Sequence, residues 1–178
     1  MLVDMRKATT KDSDAVLRFY ETVCGALEEY EYSPCWHYGI YPSPEDLRSH
    51  IAAGELLVCT VGSELAASCV LLFGDDPVYR GVSWPTDAAP DEVSELHLFA
   101  VRPADRRQGV SAAMLESLIR YAGECGKRVI RLDVVKGNLP AERLYQAHGF
   151  RFVQECTVFY EDTGELPVRL YELVIRDR

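Results

Sequence analysis

The chain has 178 residues, 48% hydrophobic and 26% charged, with a net charge of −9, which suits one soluble domain with a real core, residues 1–178. The acidic balance disfavours nucleic acid, whose phosphates need a basic footprint, although a negative field draws in cations. No apolar run approaches the roughly 20 residues that span a bilayer, and the first residues carry no signal-peptide core, so a cytoplasmic protein without a membrane partner is expected.

Residues 2–8 read as a first strand. Thr9, Thr10, Asp12 and Asp14 are cap and first-turn residues for a helix running to about Tyr30, with Ala15, Phe19, Val23 and Ala26 at helical spacing. Residues 30–42 form an irregular loop rich in aromatics, among them Trp36 and Tyr38. It is either a pocket wall or a satellite cluster packed on the core. Ser43, Pro44 and Asp46 make a helix start of capping-box type, and Gly54 ends that helix. Two β-rich runs, 55–61 and 64–73, meet at Gly62-Ser63, a hairpin signal.

Residues 74–93 are a long loop with many acids, a single basic residue (Arg80), and Tyr79 and Trp84 as apolar surface. Such a loop is either a lid over an amine acceptor or a solvated, mobile segment. Residues 94–101 alternate as a strand, with Leu96, Leu98 and Ala100 on one face and Glu95, His97, Phe99 and Val101 on the other. Pro103 stops it. Arg106-Arg107-Gln108-Gly109-Val110-Ser111 then leads into a helix reaching about Glu124, whose stripe is Ala112, Leu115, Leu118, Ile119 and Ala122, with Gly126 beyond its end. A strand, a basic glycine-containing loop and a helix N-terminus together make an anion site, with Arg102, Arg106 and Arg107 nearby. Residues 128–135 are a strand, Asn138 opens a helix that Gly149 ends, and 151–160 and 167–175 form a closing antiparallel pair about Asp162-Thr163-Gly164.

The six cysteines include no C-x-x-C spacing, so reduced, mostly buried thiols are expected. Cys35-Trp36-His37 offers a thiol and an imidazole close in sequence, but adjacent residues point different ways, and the stretch makes a poor nucleophile pair. His37, His50, His97 and His148 lack paired spacing, so no metal is expected.

Val101-x-Pro103-x-x-Arg106-x-x-Gly109-x-Ser111 resembles the acyl-coenzyme-A signature of the GNAT superfamily of N-acetyltransferases, with Ser111 where Gly or Ala is usual. The block from Asn138 through Ala141 and Tyr145 to Phe150 resembles the family's closing segment, so the likeness covers about residues 94–153. It implies an α+β GNAT fold, a mixed central sheet of about seven strands flanked by about four helices. It also implies acetyl-CoA as acyl donor, held by Phe99, Ala100, Val101, Arg106, Arg107, Gln108, Gly109, Val110, Ser111, Ala112, Asn138 and Tyr145.

The resemblance further assigns Tyr145 as proton donor to the leaving thiolate, and the loop with Trp36 and Tyr38 as a wall of the acceptor pocket. An alkylamine is protonated at neutral pH and needs a base. Glu95 matches the glutamate base of some family members, His97 has the suitable reference pKa, and a water chain is the third choice. Trp84 and Glu95 are further candidates to meet the acceptor, a primary amine of a small molecule or peptide. The alternative function is an acyl-CoA-binding regulatory module without transfer, which Tyr145 and Glu95 argue against. Many members pair as homodimers, which leaves the oligomeric state open.

Overall fold

A computed structural model describes residues 4–28, 30–160 and 163–175. The elements are β1 (Asp4–Lys7), α1 (Ser13–Leu27), α2 (Pro44–Ala53), β2 (Leu56–Val61), β3 (Glu64–Phe73), β4 (Val93–Val101), α3 (Val110–Glu124), β5 (Val129–Val135), α4 (Leu139–Ala147), β6 (Arg151–Tyr160) and β7 (Gly164–Val174). The seven strands form one mixed sheet in the order β1-β2-β3-β4-β5-β7-β6. Only β4 and β5 run parallel among its neighbours. This is the α+β architecture expected, with seven strands and four helices. No described helix is long and apolar enough to cross a membrane.

Local chemistry sets most boundaries. The Ser43 hydroxyl accepts from the Asp46 N–H at 3.1 Å, and the Asp46 carboxylate accepts from the Ser43 N–H at 3.0 Å, which closes the capping box of α2. Gly54 ends α2 with φ +71°, a conformation that glycine adopts without a Cβ penalty. Helix α1 stops at Leu27 rather than near Tyr30, and the Tyr30 N–H closes a tighter turn onto the Leu27 carbonyl at 3.1 Å. Strand β7 begins at Gly164, three residues before the expected start. Pro167 is tolerated inside it, opposite Thr157 of β6, and its carbonyl accepts from the Lys136 N–H at 2.9 Å. Leu2 and Val3 of the expected first strand, and Asp162 of the last turn, lie outside the described residues.

Helices α3 and α4 cover one face of the sheet, with Met114, Leu115 and Leu118 packed on Leu57, Cys69, Leu96 and Ile130. Helices α1 and α2 cover part of the other face, where Val16, Phe19, Tyr20, Leu47 and Ile51 pack on Val58, Val70, Leu98 and Ala100. The rest of that face, over β5, β7 and β6, is covered by the loop between β3 and β4, whose Tyr79, Val82 and Trp84 pack on Val158, Val168 and Leu170. All six cysteines are free thiols; Cys24, Cys59 and Cys69 are buried, and Cys125 is exposed.

The regular alternation expected along β4 fails. Leu96 belongs to the α3–α4 side, together with Phe99 and Val101, whereas Leu98 and Ala100 belong to the α1–α2 side. Opposite β3, Val70 pairs with His97 and Ser68 with Ala100, so β4 holds one residue more than β3 over this interval. The extra residue makes a β-bulge, with Leu98 at φ +51°. A branched residue there is costly. The Tyr20 hydroxyl offsets the cost by donating to the Leu98 carbonyl at 2.8 Å in the buried interior.

Candidate active site

The parallel pair β4–β5 holds for three positions, Val93–Val129, Ser94–Ile130 and Glu95–Arg131. Beyond the last pair the strands separate, and the gap opens into a cavity of about 360 Å³. Its lining includes Arg106, Arg107 and Ser111 of the β4–α3 loop and Asn138 of the β5–α4 turn. It also includes Trp36 and Tyr41 of the α1–α2 loop and Tyr160 of β6. Tyr145, His97 and Asp133 line it as well.

At the β4–α3 loop the backbone is shaped for an anion. Gly109 stands before α3 at φ +82°, and Arg107 is also left-handed at φ +59°. Within the first turn of α3, Ala113 is the first described residue whose N–H meets a backbone acceptor, Gly109 O at 3.0 Å. The free N–H groups before it, and the helix dipole, favour phosphate oxygens. Arg106 lies 5.1 Å from the centre of the Tyr30 ring. Arg102, grouped with these arginines in the sequence, is committed elsewhere: it pairs with Asp105 at 2.5 Å and Glu64 at 2.9 Å. The Asn138 side chain accepts from the Ala141 N–H at 3.3 Å and so caps α4 while facing the cavity.

Of the expected coenzyme residues, Phe99, Ala100, Val101, Arg106, Arg107, Ser111, Asn138 and Tyr145 line the cavity, and Gln108, Gly109, Val110 and Ala112 do not. The Gln108 amide donates to Ala104 O at 2.7 Å, and Val110 is core. Tyr145 on α4 is buried, with its ring 6.3 Å from Phe99 and 5.3 Å from Phe150. Burial first, then Cys69 and after it Asp133, push its hydroxyl pKa far up. It therefore stays protonated.

The two candidate bases differ in access. His97 lines the cavity, and Glu95 does not. Burial lowers the His97 pKa, against Asp133 and Asp76, which favour its charged form, so a neutral imidazole faces the cavity. Glu95 is 1% exposed. Its Oε1 accepts from the Asp76 N–H at 3.2 Å, while Oε2 meets no described partner. Burial pushes its pKa up to about 8. His97 Nε2 lies 3.4 Å from the Asp76 carboxylate, too poorly aligned for a hydrogen bond. Asp76, Glu95 and His97 hold possible ligand atoms within 4.8 Å of one another and are the described residues that could hold a metal ion. Asp76 comes from a distant loop, so spacing along the chain gives no sign of this group.

Of the aromatic candidates, Trp36 lines the cavity and Tyr38 packs behind it on the α1–α2 cluster. Trp84 lies off the cavity, over the Arg131 guanidinium at 4.6 Å and edge-on to Tyr79 at 5.8 Å. Tyr79 in turn stacks on His97 at 6.4 Å. The β3–β4 loop is therefore docked on the sheet rather than a free lid, while many of its residues stay exposed. Arg131, 4% exposed, pins it through Asp75 at 2.9 Å and the Thr86 carbonyl at 3.2 Å, while pairing with Glu172 at 3.0 Å.

The sequence matches the Acetyltransferase (GNAT) family over residues 28–150, more than half of the chain. It is 23% identical to an uncharacterised N-acetyltransferase of Archaeoglobus fulgidus over 84% of this chain and 93% of that protein. A second N-acetyltransferase, from Methanocaldococcus jannaschii, is 32% identical over 38% of this chain, and that match spans only 30% of the relative. Among solved structures, a GNAT-family acetyltransferase of Streptococcus agalactiae superposes with TM-score 0.82 at 19% identity, covering 99% of this chain and 96% of its own. An acetyltransferase structure from Salmonella typhimurium, solved with acetyl-CoA, superposes with TM-score 0.69 at 18% identity, covering 100% and 96%. The chain belongs to the GNAT acetyltransferase family, whose members are acyltransferases that use acetyl-CoA.

Proposed function

We propose that the protein moves an acetyl group from acetyl-CoA directly to a primary amine of a small molecule or peptide, with donor and acceptor held together in one ternary complex. The observation that carries this reading is the parting of β4 from β5 after Glu95–Arg131. It joins an anion-shaped helix start, Tyr145 and a neutral histidine in one cavity.

Acetyl-CoA supplies the activated thioester. Arg106, Arg107 and the N–H groups before α3 bind its phosphates, and the β4 edge at Phe99, Ala100 and Val101 flanks its pantetheine arm. Gln108, Gly109, Val110 and Ala112 act through the backbone they shape, and Asn138 holds α4 in register beside the arm. His97 takes the ammonium proton of the acceptor, with the Asp76 carboxylate 3.4 Å away to offset the charge and the protonated Glu95 beside them. The Tyr145 hydroxyl holds a proton for the departing thiolate, where an unpaired charge would be costly in a dry site. Trp36 meets the acceptor. Tyr38 supports Trp36 from the core side, and Trp84 supports His97 through Tyr79.

The test is thermal. At about 100 times its dissociation constant a ligand adds roughly 2.7 kcal/mol, or about 5–10 °C in Tm for a chain of this size. Acetyl-CoA is expected to give that rise, and thiol release is expected when amine is added. Gly109→Asp, which puts bulk and negative charge beside the phosphates, is expected to remove the rise. An equal shift in wild type and variant would contradict the placement.

A further inference from the structure

Asp133, which the sequence reading passed over, sits on β5 two positions beyond the last β4–β5 pair, where the strands have already parted. It faces the cavity between His97 and Tyr160. Its carboxylate accepts from two phenols, the Tyr79 hydroxyl at Oδ1 and the Tyr160 hydroxyl, 3.1 Å away, at Oδ2. Both partners are neutral. They fix the carboxylate without cancelling its charge and leave it lone pairs to spare, since a carboxylate offers about four.

No described cation on the lining answers that charge. Arg131, two residues earlier on the same strand, is committed to Glu172 and Asp75. The lining arginines, Arg106 and Arg107, belong to the β4–α3 loop. The other carboxylate on the lining, Asp105, is paired with Arg102. The same cavity is lined by Trp36, Tyr41, Tyr160 and Leu166. The described lining thus offers one carboxylate held by neutral partners, largely aromatic and apolar walls, and no cation for a substrate carboxylate beyond the two arginines of the coenzyme loop.

We propose that the acceptor is a small monoamine with a flat or apolar body, and that Asp133 selects it by pairing with its ammonium group. This deepens the N-acetyltransferase reading and rests on it. A second cation on the ligand would lack a partner, and a carboxylate next to the amine would be repelled by Asp133 and desolvated without compensation. Amino acids and polyamines are therefore disfavoured. So are peptide N-termini, whose first amide would be set against aromatic and aliphatic walls.

Two measurements decide it. In the first, 2-phenylethylamine, phenylalanine, spermidine and a tripeptide with a free α-amine compete for transfer by the wild-type enzyme. The expected order puts 2-phenylethylamine first in kcat/KM, with phenylalanine about 100-fold lower or worse. Preference for any of the other three overturns the inference.

In the second, 2-phenylethylamine is titrated calorimetrically into protein saturated with coenzyme A. Asp133→Asn is expected to weaken amine binding by about 10- to 100-fold, the range of one charged hydrogen bond, while coenzyme affinity stays within about twofold. A folded Asp133→Asn protein with unchanged amine affinity overturns the inference. Binding of acetyl-CoA together with transfer to a different amine class would overturn this selection alone. Failure to bind acetyl-CoA at all would overturn the underlying reading with it.

Discussion

At the scale of single residues, Glu95 shows how burial converts a surface-type residue into a titrating element of the fold. A glutamate in an unfolded chain loses its proton near pH 4.3, whereas burial holds Glu95 protonated up to about 8. Between those values the unfolded chain binds fewer protons than the native one, so stability falls as pH rises through that window. Glu95→Gln keeps the shape and stays neutral. It is expected to match wild type below about pH 4.5 and to exceed it increasingly up to about pH 8, by an amount on the order of 1–4 kcal/mol. Melting curves of both proteins across pH 4 to 9 check this; parallel profiles would contradict it. Position in the sequence marked Glu95 and His97 as neighbours on one face. It could not separate the one that meets the cavity from the one sealed behind it, because the bulge and the β3–β4 loop decide access. Asp133 had a faint signature, a charge two positions from Arg131 in an otherwise apolar strand. That pattern equally describes a surface strand.

At the scale of elements, what was legible follows the range of the interactions. The α2 capping box, the Gly54 stop, the Gly62-Ser63 turn and the strand–loop–helix start of α3 are fixed by residues within four positions of each other. The β4 bulge is not. It depends on a Tyr20 hydroxyl 78 positions away, and alternation alone put Leu98 on the wrong face. The docking of the β3–β4 loop is equally non-local, since Arg131 reaches Asp75 across 56 positions. Arg131→Met would leave Glu172, 4% exposed, as a buried charge without its partner. Losing one member of such a pair costs about 3–5 kcal/mol, so Tm is expected to fall by roughly 6–20 °C. Adding Glu172→Met is expected to restore much of the loss, because replacing a whole buried pair is often close to neutral. Calorimetry of the single and double variants checks both. A single variant with unchanged Tm would mean that Arg131 does not hold the loop.

At the scale of the whole molecule, the order βααβββαβαββ was readable from hydropathy period and punctuation, whereas the insertion of β7 between β5 and β6 is a property of the assembled sheet. That insertion leaves β4 and β5 as the parallel pair, and their divergence makes the cavity. The net charge of −9 and the Asp133 carboxylate both favour arrival of a cationic acceptor. The central claim is that acetyl transfer occurs in this cavity, with Tyr145 protonating the thiolate. Tyr145→Phe keeps the ring against Phe99 and Phe150 and removes a hydroxyl that makes no hydrogen bond among the described residues. Single-turnover and steady-state thiol release, read beside acetyl-CoA thermal shifts, are the most direct measurement. The expected result is an unchanged Tm and coenzyme shift, with kcat lower by roughly 10- to 10³-fold. Full kcat in the variant, or lost coenzyme affinity with kcat intact, would contradict the account.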